Sequence, residues 1–427
     1  MKMEIQRACA GVAGSWLTES CDLQTEILAR LPEEFVYRYR LVSKQWNAFL
    51  SSKYFLTKWA EALPSGRLVL CHTNPELPCL GFCFYTHKWI KPYFSLSFLE
   101  DWIALDQAQP PLPYPLQVSA YAHPHIRRIQ SVAGLILVNV AHHYNSGYTL
   151  KLCNPYKRAF VDIPVPHTRL YSECIVVNES SNHKSDVVYK VVALRDNWSV
   201  QIYEPSQEGW NIAGYFPDDY KMDINTPLVH CNGSFYGQCQ WRADEVNGIA
   251  CFNIHLQEGP KAIPVLFAPY PEIVRNYHLL SWIITCGSRL LLIGRGWVHV
   301  EVEGHVDTEQ ETIIWEFRNE DLKSASWKWV EIARTPYLLC KEWRNKLSTE
   351  HPLESLWYSC TGVGDHVCFT PSLHWIQKTE TVSLVAYNFI NNAWDFLPSC
   401  PSAGCVGAGE GYYNTIPLVP SLHRKML

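Results

Sequence analysis

Leu23, Ile27, Leu28 and Leu31 fall at i, i+4, i+5 and i+8, which lays an apolar stripe along a helix that Pro32 ends. Glu33 and Glu34 follow, where a helix N-terminus favours negative charge, and Phe35, Val36 and Tyr39 open the next apolar face. Val42, Trp46, Phe49 and Leu50 repeat the spacing. The pattern predicts three short helices within residues 16–63, preceded by a flexible tail over residues 1–15. About forty residues can bury only a small core of their own. Part of this apolar surface is therefore expected to close on another protein, the alternative being a subdomain packed on the rest of the chain.

Pro64, Ser65 and Gly66 interrupt the helical spacing, and Arg67 to Leu70 begin a different pattern. Short aromatic or β-branched runs now alternate with Gly, Pro, Asn and Asp clusters at spacings of about ten residues, an all-β signature. A degenerate unit recurs: apolar strand, polar turn, a strand that often carries an aromatic, then Pro. Its copies end at Pro113, Pro164, Pro217, Pro264, Pro336 and Pro398. A small sheet buried on both faces by its neighbours must be rewritten at every position, so the repeat predicts a β-propeller over residues 64–427. Six copies imply six blades, with seven as the alternative. Residues 134–138, 190–194 and 289–294 are apolar enough for interior strands. Trp198, Trp210, Trp315, Trp329 and Trp394 are read as rings that fill gaps between sheets rather than as a binding platform.

Composition narrows the function. A net charge of -5 without a dense Lys/Arg block argues against nucleic-acid binding. No apolar run reaches the roughly eighteen residues that span a bilayer, and the first sixteen residues lack a signal-like apolar region, so an intracellular protein without a membrane partner is expected. The 16 cysteines contain no CxxC pair, and Cys153, Cys174, Cys251 and Cys368 read as small buried apolar groups. Adjacent His142 and His143 would point to opposite faces of a strand, and His123 and His125 flank Pro124 in a loop reading, so no metal or other cofactor is expected. No nucleophile motif or phosphate-binding loop appears, which points away from an enzyme. Leu339, Trp343 and Leu347 recur at helical spacing within residues 337–358, an insertion between blades whose Trp343 and Arg344 are candidate target contacts. Residues 301–311 read as an acidic, solvated loop.

Two sets of motifs carry a family likeness. EILARLP followed by YRLVSKQWNAFLSSKYF resembles the plant F-box pattern, although Glu19 and Ser20 stand where the family usually has Leu-Pro. NPYKRAFVDIP, YKVVAL and CNGSFYGQ are similar to segments of F-box-associated and kelch-type C-terminal domains, and WVEIARTP and CTGVGDHVCF resemble F-box/kelch proteins related to the Unusual floral organs protein. The double-glycine kelch hallmark is absent. The resemblance implies a multidomain fold, a three-helix F-box before a kelch-like β-propeller. It implies a non-catalytic substrate receptor whose Leu23, Ile27, Leu28, Leu31, Pro32, Val42, Trp46 and Leu50 contact a Skp-type adaptor and, through it, a cullin. The propeller would hold a target protein, in the nucleus or cytoplasm. Two other classes stay open: a ligase-independent scaffold or transcriptional cofactor, and a sugar-binding or oxidase propeller.

Overall fold

The computed structural model describes residues 21–29, 36, 39–40, 42–50, 52, 54–55 and 58–59 of the first domain. Between 67 and 418 it describes all residues outside 73–78, 84–87, 95–124, 133–134, 142–147, 155–158, 166–169, 179–187, 196–197, 208, 224–225, 243–244, 255–261, 273–280, 303–304, 320–326, 347–357, 372–382 and 399–412. Helices α1 (Cys21–Ala29) and α2 (Lys44–Leu50) are too short to persist alone. They are held by a core of Leu28, Ala29, Val36, Leu50, Phe55 and Trp59, with Tyr39 and Phe49 packed beside it. Ser43 caps α2 by accepting the Trp46 N–H at 3.1 Å, and Ser52 accepts the Phe55 N–H at 3.2 Å.

The second domain is a β-propeller of antiparallel sheets. Five blades use consecutive strands. The first contains β4 (His125–Val132), β5 (Leu135–Ala141), β6 (Tyr148–Asn154) and β7 (Ala159–Ile163). The next contains β8 (Leu170–Asn178), β9 (Val188–Arg195), β10 (Ser199–Tyr203) and β11 (Trp210–Tyr215). In the third, β12 (Tyr220–Met222) and β13 (Val229–Cys231) both pair with β14 (Ser234–Trp241), followed by β15 (Val246–Phe252) and β16 (Val265–Pro269). The fourth contains β17 (Ser281–Cys286), β18 (Arg289–Val302), β19 (His305–Asn319) and β20 (Trp327–Arg334). Helix α3 (Tyr337–Lys346) leads to the fifth, β21 (Tyr358–Val363), β22 (His366–Pro371), β23 (Val385–Asn388) and β24 (Ala393–Phe396).

A further sheet is composite. In it β25 (Tyr413–Leu418) pairs with β1 (Arg67–His72), and β2 (Cys79–Cys83) and β3 (Lys88–Phe94) continue outward. Strand β25 lies beside both β21 and β4. The expected count of six blades, or seven, is corrected to five blades continuous in sequence plus this sheet of joined ends; no seventh sheet occurs among the described residues. The count from repeats was offset because a composite sheet needs no complete repeat. The copies ending at Pro164, Pro217, Pro336 and Pro398 are the third and fourth strands of their blades, while Pro264 precedes the outer strand β16. The copy ending at Pro113 lies outside the described residues.

Apolar layers between consecutive blades form the core. Leu135, Leu137 and Leu152 meet Val191 and Ala193; Val200 and Ile202 meet Phe235 and Phe252; Ile249 and Cys251 meet Leu290 and Leu292; Ile293 meets Val367 and Phe369. Both faces of a middle strand are therefore covered, which is why runs such as Leu290 to Ile293 are continuously apolar. Trp198, Trp210, Trp315, Trp329 and Trp394 all sit in or against these layers, as expected. Cys153, Cys174, Cys251 and Cys368 are buried and free.

The acidic stretch 301–311 is not a loop. Strands β18 and β19 pair from Leu291↔Glu316 out to Val302↔His305, well past the ends of β17 and β20. Val300, Val302 and Val306 suit extended backbone, and pairing of β18 with β19 satisfies the N–H and C=O groups that face each other. Glu311 is buried and pairs with Arg334, which also bonds Glu331 at 3.0 Å.

Candidate functional site

The first domain divides its apolar residues between an inner and an outer face. Leu28 and Leu50 lie in its own core. Ile27, Val42 and Trp46 face outward, 56%, 65% and 37% exposed. Residues 27 and 28 are about 100° apart around a helix, so a stripe that reads as continuous in sequence has one member inside and the next outside. Leu23 is part of α1, while Leu31 and Pro32 lie outside the described residues. The outer face is braced from beneath. The Trp46 and Tyr39 rings are 5.5 Å apart, and the Arg40 guanidinium donates to Asn47 Oδ1 at 3.0 Å. Exposed apolar side chains such as these can bind by burial and offer no group that exchanges protons or attacks a carbonyl.

Blade-to-blade contacts account for much of the propeller's polar chemistry. The Trp329 indole N–H donates to the Pro269 carbonyl of the preceding blade at 2.9 Å, and Trp210 makes the same bond to Pro164. Each tryptophan also packs tilted against an aromatic of its own third strand, Trp210 against Tyr203 and Trp329 against Phe317. Trp394 repeats the arrangement against Tyr387. Closer to the axis, Asn139 donates to Glu173 Oε1 at 3.0 Å and Gln238 to the Ser281 carbonyl at 2.8 Å, each crossing to the innermost strand of the next blade. Burial pushes the thiols of Cys153, Cys174, Cys239, Cys286 and Cys340 up to about 12, so they stay protonated and unreactive near neutrality. Among the described residues no group of three or more His, Cys, Asp or Glu could hold a metal ion. His123, His142 and His143 lie outside those residues.

The predicted inter-blade helix is present as α3, and its placement decides what its residues can do. Trp343 is half-buried, and its indole N–H donates to the Ser383 carbonyl at 3.0 Å. Lys346 Nζ sits 3.6 Å from the Phe396 ring centre. Trp343 therefore fastens α3 across two blades, and Arg344 is half-buried beside it. The exposed apolar residue of this helix is Leu338, at 74%, which the sequence reading missed. Its position four residues before Glu342 and opposite buried Cys340 could have marked it, since Cys340 and Trp343 define the covered side.

The chain is thus a two-domain protein, with helices that carry an apolar outer face ahead of a β-propeller. The comparisons agree with that division: residues 21–58 match the F-box domain, so the chain is an F-box followed by a β-propeller. It is 20% identical over 387 residues to F-box only protein 6 of Arabidopsis thaliana, covering 90% of this chain and 70% of the relative. It is 24% identical over 193 residues to F-box protein At5g18160 of the same plant, covering 45% of this chain and 44% of the relative.

Proposed function

We propose that this chain is the substrate-recognition subunit of a Skp-cullin-F-box ubiquitin ligase. The F-box holds the adaptor through Ile27, Val42 and Trp46, and the propeller, read as kelch-type and close to the Unusual floral organs relatives, holds a target protein in the nucleus or cytoplasm. The observation that carries the reading is the exposed apolar trio on an F-box joined to a propeller. The chain contributes proximity: a tethered target meets the ubiquitin-charged enzyme at high effective concentration, with no side chain of this protein reacting. Co-purification of the full chain with a Skp-type adaptor tests this. Capture by the native chain and loss with Ile27→Asp plus Trp46→Ala is expected, and absence of capture by the native chain overturns it. A ligase-independent scaffold is the second reading, favoured by Glu19 and Ser20 in place of an apolar Leu-Pro anchor.

A further inference from the structure

Strand β19 outruns its outer neighbour. Strand β20 pairs with β19 only as far as Arg334↔Ile313, and Thr335 ends the contact by accepting the Thr312 N–H at 3.1 Å and donating to its carbonyl at 2.9 Å. Pro336 has no N–H to continue the ladder, and its carbonyl accepts the Cys340 N–H as the chain turns into α3. That helix packs beside β19, and its side chains also reach the next blade, where Trp343 bonds the Ser383 carbonyl and Lys346 lies over Phe396. From His305 to Gln310, therefore, β19 is paired with β18 on one side and with no described strand on the other.

An open strand edge is a template for an extended chain, because its unpaired N–H and C=O groups are satisfied by one more strand. Two features specify what that strand is like. Glu301, Asp307 and Glu309 lie on the ribbon, and no Lys or Arg occurs between Arg295 and Arg318, so the partner is basic. Leu338, three residues after Thr335, is exposed on the helix that packs beside β19 and offers one apolar anchor. We infer that the β19 edge from His305 to Gln310, with Leu338 on the helix beside β19, receives an extended basic segment of the target protein as an added strand. This rests on the reading of the propeller as the target-binding domain and names the kind of segment it takes.

The test uses the full chain and a capped peptide of alternating Lys and Val, about eight residues long to match a strand, followed by fluorescence anisotropy. Replacing residues 298–309 by Asn-Gly closes Trp297↔Gln310 as a two-residue hairpin and leaves the blade's pairing from Leu291 to Gly296 in place. Expected is binding by the native chain, weakening of about tenfold or more in the shortened chain, similar weakening with Asp307→Lys plus Glu309→Lys, and loss when alternate peptide nitrogens are methylated. Equal binding by the native and shortened chains, no binding by the native chain, or equal binding of a Glu/Val peptide overturns the inference. A cooperative thermal melt of the shortened chain at the native midpoint, followed by Trp fluorescence, shows that its propeller is folded. Peptide binding without adaptor capture by the native chain would refute the ligase reading and leave this one standing; capture without peptide binding would do the reverse.

Discussion

The indole N–H of Trp329 is bonded to the carbonyl oxygen of Pro269, 2.9 Å away and one blade earlier. The bond ties the outer strand β20 to the end of the outer strand β16, at the rim, where apolar layers are thinnest. Trp329→Phe keeps the ring on Phe317 and removes the donor, an expected loss of about 1 kcal/mol. Trp329→Ala also removes the packing, an expected loss of about 3 kcal/mol. Urea denaturation ranks the three proteins; a Phe variant as stable as the native chain would show the bond to be incidental.

Ile27 and Leu28 are neighbours with opposite duties. Leu28→Ala is expected to destabilise the F-box by about 2–4 kcal/mol because it empties a closed core. Ile27→Asp, at an exposed site, should leave stability within about 0.5 kcal/mol and abolish adaptor capture. Thermal melts and pull-downs on the same preparations separate the two effects. Equal destabilisation by both changes would contradict the division of faces.

The Glu311 carboxyl gives a pH signature. Burial raises its pKa above the ordinary carboxyl value, and the neighbouring Arg334 only partly offsets this. A carboxyl whose folded-state pKa is raised contributes stability that is present below its unfolded value and lost as pH rises through the folded one. Glu311→Gln, which stays neutral, should therefore gain on the native chain as pH rises from about 4.5. Denaturation midpoints of both proteins at a series of pH values read the difference, and a gap that moves towards the native chain on raising pH would exclude this account.

Gly362 sits where the innermost strands β17 and β21 approach closely. A Cβ there would collide with the Thr285 carbonyl oxygen and lie 2.8 Å from Cys286 Cα, both backbone of the preceding blade. Gly362→Ala should cost at least about 2 kcal/mol, since neither strand can yield without opening the layer. Gly209→Ala, with nothing within 4 Å of its Cβ, is the control and should be close to neutral. Matching melting temperatures for the two variants would mean the strands can part cheaply.

The architecture was legible because its physics repeats. Each copy ending at Pro164, Pro217, Pro336 or Pro398 is a pair of outer strands, and the Trp210 bond to Pro164 gives one terminal proline a partner in the next copy's aromatic. What was illegible depended on partners distant in sequence. Nothing local distinguishes Ile27 from Leu28, because which one turns inward is decided by Val36, Phe55 and Trp59. The ribbon was missed because acidic residues masked its valines, and charge says where water can reach without saying how the backbone is paired. Trp343 looked available for a target by residue type alone; the Ser383 carbonyl that occupies its indole comes from forty residues later.

Joining β1 to β25 makes the ring a clasp fastened by the last described strand. During synthesis the F-box and all five consecutive blades exist before Tyr413–Leu418 emerges, so the first domain is complete before the propeller can be. Losing those six residues would remove little mass yet expose the β1 edge and the flanks of β4 and β21 together, turning a closed ring into an open, adhesive arc.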